Sequence, residues 1–199
     1  MTLEWVFRGV ELVALMAAIY LLVGQEWRRG LMALAVVYAV AAAYILWVWS
    51  PGLAAVKLVT GWMAVAVLGA AQPAGDWREL PPPGWVGTTF YLIASGLVIL
   101  LVYSVAPLAV AYFPVPAPAM RGGLILIGMG MLHLGMSTRP FREVVALLTA
   151  LAGFDLLYTS VEQSVLVAGV QAFITLGLAL VGSYVVSAPS MRPGEEEQG

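Results

Sequence analysis

The 199-residue chain has no cysteine, a single histidine and few charged residues. The lack of cysteine excludes an iron–sulfur cluster, a disulfide and a thiol nucleophile from this chain. One histidine is too few for a bis-histidine haem within one copy. A net charge of −2 offers no basic surface, so nucleic acid is not expected as a partner. No ligand cluster, nucleophile–base pair or phosphate loop is visible, so we expect no catalytic residue, no metal and no cofactor.

The scarcity of charge defines the class of protein. Charged residues make up 10% of the chain and hydrophobic residues 62%, whereas a soluble domain carries about 25% charged residues. This composition predicts an all-α integral membrane protein. The first apolar run lacks a basic region before it and contains Arg8 and Glu11, so we expect no cleavable signal peptide.

Seven apolar runs are long enough to cross a membrane, which takes roughly 20 mostly apolar residues. They cover residues 5–23, 31–49, 52–71, 88–112, 120–137, 140–160 and 163–187. Pro107 is expected to kink the fourth run near its end. The short "SPG" connection at 50–52 predicts that the second and third helices form an antiparallel hairpin.

The runs divide the chain into five parts. We predict an N-terminal three-helix segment (1–71), a proline-rich loop (72–87), a fourth helix with a proline bridge (88–119), a C-terminal three-helix unit (120–187) and a disordered acidic tail (188–199). These divisions follow the prolines and the polar stretches, which cannot continue a membrane helix.

Basic residues and tryptophans predict the orientation. Most arginines fall on one side, at positions 28, 29, 78, 139, 142 and 192. The positive-inside rule then places the N-terminus outside and the C-terminus in the cytoplasm. Tryptophans lie near both predicted interfaces, as anchors: Trp5, Trp47 and Trp49 on the outer side, and Trp27, Trp77 and Trp85 on the inner side.

Lys57 interrupts the apolar stretch "LAAVKLVTGWMAVAVLGA". Its helical face continues through Thr60, Gly61, Ala64 and Leu68, and the small residues among these let another helix come close. This pattern favours a lysine that faces protein. The alternative is a lysine that snorkels to the outer headgroups.

Two carboxylates lie at a similar predicted depth to Lys57. Glu11 is three residues from Arg8 on one helix face, so the two are expected to pair, and a Glu11–Lys57 contact is also geometrically allowed. Asp155 lies near the outer end of the sixth helix and is the best carboxylate candidate for a buried role. A solvated position at the helix end is the alternative for Asp155.

The remaining polar residues are expected to support helix packing. Gln171 and Thr175 share a face of the seventh helix with several alanines, which predicts hydrogen bonding between helices. His133 lies toward the inner end of the fifth helix and is interpreted as a hydrogen-bonded packing residue. The inner turn with Arg139, Arg142 and Glu143 is expected to anchor to headgroups. Together these groups do not form a proton path through the whole membrane.

Three stretches resemble the hydrogenase-4 membrane component E family. They are "GLAAVKLVTGWMAVAVLGAAQ", "LILIGMGMLHLGMSTRPFREVVALL" and "VLVAGVQAFITLGLALVGSYVV". The first resembles a family helix with one early lysine, which places that lysine on Lys57. Members of the family look like the K-type small subunit of complex I, or the C-type subunit of Mrp antiporters, preceded by extra helices.

The resemblance implies a non-catalytic, multi-pass subunit of a proton- or cation-translocating assembly in a prokaryotic inner membrane, with antiporter-like subunits as partners. The polar residues inside the predicted spans give five candidates for an ion or proton path: Lys57, Asp155, Glu11, Gln171 and His133. Of these the resemblance maps Lys57 directly. Two features depart from the family pattern. The family's mid-membrane glutamate falls near Leu151 or Ala152, and Gln171 stands where relatives tend to have an acid. A divergent member with a weakened share in charge transfer is therefore expected.

Two other functions are compatible with the residues. A self-contained transporter or channel would use Glu11, Lys57 and Asp155 as its ion or substrate site, although no internal repeat supports it. A haem protein would pair His133 with a methionine, but no pattern selects a particular methionine.

Overall fold

The computed structural model describes residues 2–24, 26–48, 51–71, 84–162 and 164–187. Within these ranges the chain forms seven α-helices and no strand. The helices are α1 (Thr2–Val23), α2 (Trp27–Val48), α3 (Pro51–Ala70), α4 (Trp85–Tyr112), α5 (Ala117–Met136), α6 (Pro140–Thr159) and α7 (Val165–Ser187). The expected proline loop at 72–83, the tail at 188–199 and the anchors Trp49 and Trp77 lie outside the described residues.

Five of the helices, α2, α3, α4, α5 and α7, are long and apolar enough to cross a membrane. The other two, α1 and α6, are of similar length but carry three charged residues each. The helices also expose many large apolar side chains, as membrane helices do toward lipid. The chain is therefore a multi-pass membrane protein, all-helical in the part that the structure describes, as the composition predicts.

Prolines fix several helix boundaries. α4 ends at Tyr112 because Phe113, which precedes Pro114, adopts an extended conformation. In the same way Arg139 is extended before Pro140, where α6 begins. α4 begins at Trp85 and α5 at Ala117, each three residues before the predicted start. The proline loop is thus shorter than predicted, and α4 continues through Pro107 to Tyr112.

The helices pack as two layers of three. α1, α2 and α3 lie side by side in chain order, and so do α5, α6 and α7. Across the layers α1 packs on α5, α2 on α6 and α3 on α7, while α4 covers the edge formed by α1 and α5. α2 therefore separates α1 from α3.

Contacts between equivalent positions show that the odd-numbered helices run in one direction. Lys57, early in α3, contacts Gln171, early in α7. At the other end of these two helices, the Ser187 hydroxyl donates to the Ala71 carbonyl at 3.0 Å. We call the end where α1, α3, α5 and α7 begin the α1 end, and the opposite one the α2 end.

Glycines allow neighbouring helices within each layer to come close. A Cβ added to Gly61 of α3 would overlap the ring of Tyr38 on α2. A Cβ on Gly153 of α6 would lie 2.6 Å from the Gly123 carbonyl oxygen of α5, which is too close for any side chain. The glycines thus bring α2 against α3, and α5 against α6, with their backbones close together.

Candidate functional site

Lys57 ends in a buried polar cluster that joins three helices. Its Nζ lies 2.8 Å from Oδ2 of Asp155 on α6 and 2.6 Å from Oε1 of Gln171 on α7. The three residues are exposed by only 6%, 4% and 6% respectively. The ammonium therefore faces protein and does not snorkel. We call Lys57, Asp155 and Gln171 the lysine cluster.

Helical periodicity turns each member of the cluster inward. Lys57 lies on the buried face of α3, which consists of Ala54, Lys57, Thr60, Gly61, Ala64 and Leu68. This is the face predicted from the small residues. Gln171 shares the buried face of α7 with Thr175, whose hydroxyl donates within the helix to the Gln171 carbonyl at 2.9 Å. The predicted hydrogen bond between helices is therefore made by the Gln171 side chain, which accepts from Lys57.

Asp155 is buried near the α1 end of α6, on the same face as Ala152 and Thr159. The solvated position considered as its alternative is therefore wrong. The pair with Lys57 cancels one positive and one negative charge, which is the usual condition for placing either of them in a membrane.

The lysine cluster leaves two of its own polar atoms unsatisfied. Oδ1 of Asp155 and Nε2 of Gln171 are buried and have no hydrogen-bond partner among the described residues. One is an acceptor and the other a donor. The cluster can therefore accept a further hydrogen bond at Asp155 and donate one from Gln171 without losing the contacts to Lys57.

Glu11 belongs to a second polar group, between α1, α4 and α5. The Tyr103 hydroxyl donates to Oε1 of Glu11 at 2.7 Å, and Nε of Arg121 lies 3.5 Å from Oε2. The expected Arg8–Glu11 pair is not formed, because Glu11 turns toward α5 while the Arg8 guanidinium stacks on Trp5, 5.7 Å from the ring centroid. The Glu11–Lys57 contact that the sequence allows is not formed either, because α2 lies between α1 and α3.

His133 lies at the α2 end, apart from both groups. Arg142 donates from Nε to Nε2 of His133 at 3.3 Å, and from Nη2 to the Leu22 carbonyl at 2.6 Å. Because Nε2 accepts a hydrogen bond, the imidazole is neutral and carries its proton on Nδ1. His133 is thus a hydrogen-bonded packing residue, as predicted, whereas Arg142 ties α6 to α1 and α5 and is not a simple headgroup anchor.

Sequence reasoning missed the role of Arg121 and Tyr103. Arg121 is the second residue of the predicted run 120–137, which places it at the membrane edge. α5 in fact begins at Ala117, so Arg121 lies one turn inside the helix. An arginine inside a predicted apolar run is the signal that could have identified it. Tyr103 has no distinguishing signal within α4.

No group of three histidine, cysteine or acidic side chains among the described residues could hold a metal ion. No protein-family model matches the chain, and no curated protein or solved structure matches it either. The resemblance to the component E family therefore stays a prediction.

Proposed function

We propose that the chain is a non-catalytic membrane subunit of a complex I-like, group-4 hydrogenase-like or Mrp-like assembly that translocates protons or cations. It acts mainly as a scaffold for larger antiporter-like subunits and has a minor share in the charge path. All seven helices cross a prokaryotic inner membrane, with the N-terminus outside. Arg28, Arg29, Arg139 and Arg142 lie at the α2 end, in line with a cytoplasmic position for that end.

The observation that carries the proposal is the lysine cluster. A buried charge pair in a membrane protein costs free energy, because desolvation of two ions is only partly offset by their attraction. A neutral, apolar contact would hold α3, α6 and α7 together at lower cost. A charge pair kept in such a place is a functional candidate by default.

The geometry of the cluster suits charge relay. Nζ of Lys57 and Oδ2 of Asp155 are within hydrogen-bond distance at 2.8 Å. Transfer of one proton between them converts an ion pair into a neutral amine and a carboxylic acid, with no change in total charge. The free Oδ1 of Asp155 is the atom at which a proton from a neighbouring group or water would enter.

The chain alone does not supply the rest of a path. The lysine cluster lies toward the α1 end and the His133–Arg142 contact toward the α2 end. No hydrogen bond or ion pair joins the two groups in the part of the chain that the structure describes. A path across the membrane would therefore need side chains from another subunit.

Two helices provide faces for such subunits. α4 and α7 lie at opposite edges of the two layers and expose long apolar surfaces. Their exposed residues include Leu97, Leu100 and Leu101 on α4, and Phe173, Leu180 and Tyr184 on α7. Association between membrane helices relies on packing of such faces.

Purification from native membranes in a mild detergent tests the scaffold role. We expect the chain to migrate with a large antiporter-like subunit. A Lys57→Met variant should reduce coupled proton or cation translocation by the assembly, whereas Arg29→Met, at an exposed pair, should not. A stable free monomer that conducts ions in liposomes would replace this proposal with a self-contained transporter.

A further inference from the structure

A charged cavity lies apart from the lysine cluster, between α1, α4 and α5. It has a volume of about 410 Å³ and is lined by Arg8, Glu11, Leu12, Leu15, Tyr103, Arg121 and Ile125. Its polar lining comes from α1, α4 and α5, and the proposed function makes no use of it. We call it the arginine cavity.

The arginine cavity carries an excess of positive charge. Among the side chains that the structure describes, Arg8 and Arg121 contribute two guanidinium groups to the lining and Glu11 contributes one carboxylate. The carboxylate accepts a short 2.7 Å bond from Tyr103, whereas its approach to Nε of Arg121 is a looser 3.5 Å. Nε of Arg121 is buried and makes no hydrogen bond to the residues that the structure describes. The Arg121 side chain as a whole is 33% exposed, so the rest of its guanidinium is within reach of a ligand.

The cavity is lined in part by exposed side chains of α1 and α4. Leu12 and Tyr103, which line it, are exposed by 60% and 51%. Arg8 lies six residues after Thr2 and Arg121 four residues after Ala117, so both are within about 10 Å of the α1 end at 1.5 Å per residue. That depth is close to the headgroup region of a bilayer about 30 Å thick in its core.

We propose that the arginine cavity binds an anionic phospholipid from the surrounding leaflet. The phosphate lies between Arg8 and Arg121, whose guanidinium groups donate in the planar geometry that suits phosphate oxygens. One negative charge on the lipid balances the one uncompensated positive charge of the lining. The acyl chains leave past Leu12 along the exposed faces of α1 and α4. The volume exceeds that of a phosphate alone and leaves room for the glycerol.

Native mass spectrometry of the purified protein with phosphatidylglycerol, phosphatidylcholine and inorganic phosphate tests this proposal. We expect one phosphatidylglycerol to bind tightly. Phosphatidylcholine, whose headgroup has no net charge, should bind at least about tenfold more weakly. Arg121→Met and Arg8→Gln should each weaken phosphatidylglycerol binding about tenfold or more. Arg139→Gln, an arginine at the opposite end of the bundle, is the matched control and should bind normally.

Three outcomes would overturn the proposal. Equal binding of the two lipids would show that charge does not select the ligand. Competition by millimolar inorganic phosphate would assign the cavity to a free anion. An equal loss in Arg139→Gln would indicate non-specific attraction of headgroups. Arg8 is exposed, so the Arg8→Gln variant decides the matter if Arg121→Met does not fold. None of these results depends on the proposed role in a translocating assembly.

Discussion

Lys57 and Gln171 are 114 residues apart in the chain, yet each is the seventh residue of its helix and their side chains meet at 2.6 Å. The equal depth follows from α3 and α7 running side by side in the same direction. Asp155, near the end of the antiparallel α6, reaches the same level from the layer that also contains α7. The lysine cluster is thus a consequence of helix register, and its stability should depend on all three helices.

Removal of one member of the buried pair should be far more harmful than removal of both. Lys57→Met leaves Asp155 as an uncompensated buried charge and should lower the free energy of unfolding by about 3–5 kcal/mol. Adding Asp155→Asn should recover much of that loss, because no ion remains buried. Unfolding in detergent of the two single variants and the double variant measures this coupling.

The exposed Arg29–Glu26 pair is the control for these unfolding measurements on Lys57 and Asp155 variants. Its side chains are 65% and 39% exposed, so Arg29→Met should cost less than about 1 kcal/mol. Additive losses in the Lys57 and Asp155 variants would contradict the direct pair that the structure shows.

The reactivity of one amine should report the burial of the cluster. Lys57 is the only lysine in the chain, and it is 6% exposed. Amine-reactive reagents should therefore modify no lysine in the folded protein, and Lys57 only after unfolding. Asp155→Asn should speed the reaction, because it loosens the contact that holds Nζ. Peptide mass spectrometry identifies the modified site.

An added surface lysine provides the control for reagent activity. Arg29→Lys, at a position 65% exposed, should be labelled in the folded protein. Rapid labelling of Lys57 under the same conditions would mean that its side chain reaches water.

The burial of Lys57 was predictable from sequence, because small residues recur on its helix face at helical spacing. The identity of its partner was not. Glu11 and Asp155 have similar predicted depths, and depth alone does not say which helices are neighbours. The layer arrangement decides the partner, since α2 separates α1 from α3 while α3 lies next to α7 and within reach of α6. Helix order is a property of long-range packing that single-helix patterns do not contain.

The predicted start of the fifth helix likewise hid the arginine cavity from sequence analysis. Treating residues up to 119 as a proline bridge left Arg121 near a helix start, where an arginine usually meets headgroups. The structure begins α5 at Ala117, directly after Pro116 as the N-cap. That shift by three residues moves Arg121 one turn inside the helix and next to Glu11. Arg121 therefore lines the cavity because Pro116 allows α5 to begin at Ala117.

A methyl group on Gly153 should separate α5 from α6. An added Cβ would lie 2.6 Å from the Gly123 oxygen and 2.8 Å from the Ile127 nitrogen. Because both are backbone atoms, the helices must move, and Gly153→Ala should cost about 1–3 kcal/mol. Gly96 on α4 has open space around its Cβ position, so Gly96→Ala should be neutral or stabilise by up to about 1 kcal/mol. Equal melting temperatures for the two variants would contradict the close packing.

Arg142 should stabilise the α2 end through the hydrogen bonds of its guanidinium group to α1 and α5 rather than through its charge. It donates to His133 at 3.3 Å and to the Leu22 carbonyl at 2.6 Å. Arg142 uses two separate nitrogens, Nε and Nη2, in a planar fork for these two bonds, and a lysine does not reproduce that arrangement. Arg142→Lys should therefore lower stability by about 1.5–3 kcal/mol, whereas Arg139→Lys should have little effect.

The single histidine allows a direct test of that contact. In protein with ¹⁵N-labelled histidine, the two imidazole nitrogens of His133 should give the shifts of a neutral ring protonated on Nδ1. Loss of the Arg142 donor in Arg142→Lys should shift the Nε2 resonance, while Arg139→Lys leaves it in place. An unchanged Nε2 resonance in Arg142→Lys would mean that the guanidinium does not bind the ring, and that the link from α6 to α5 lies elsewhere.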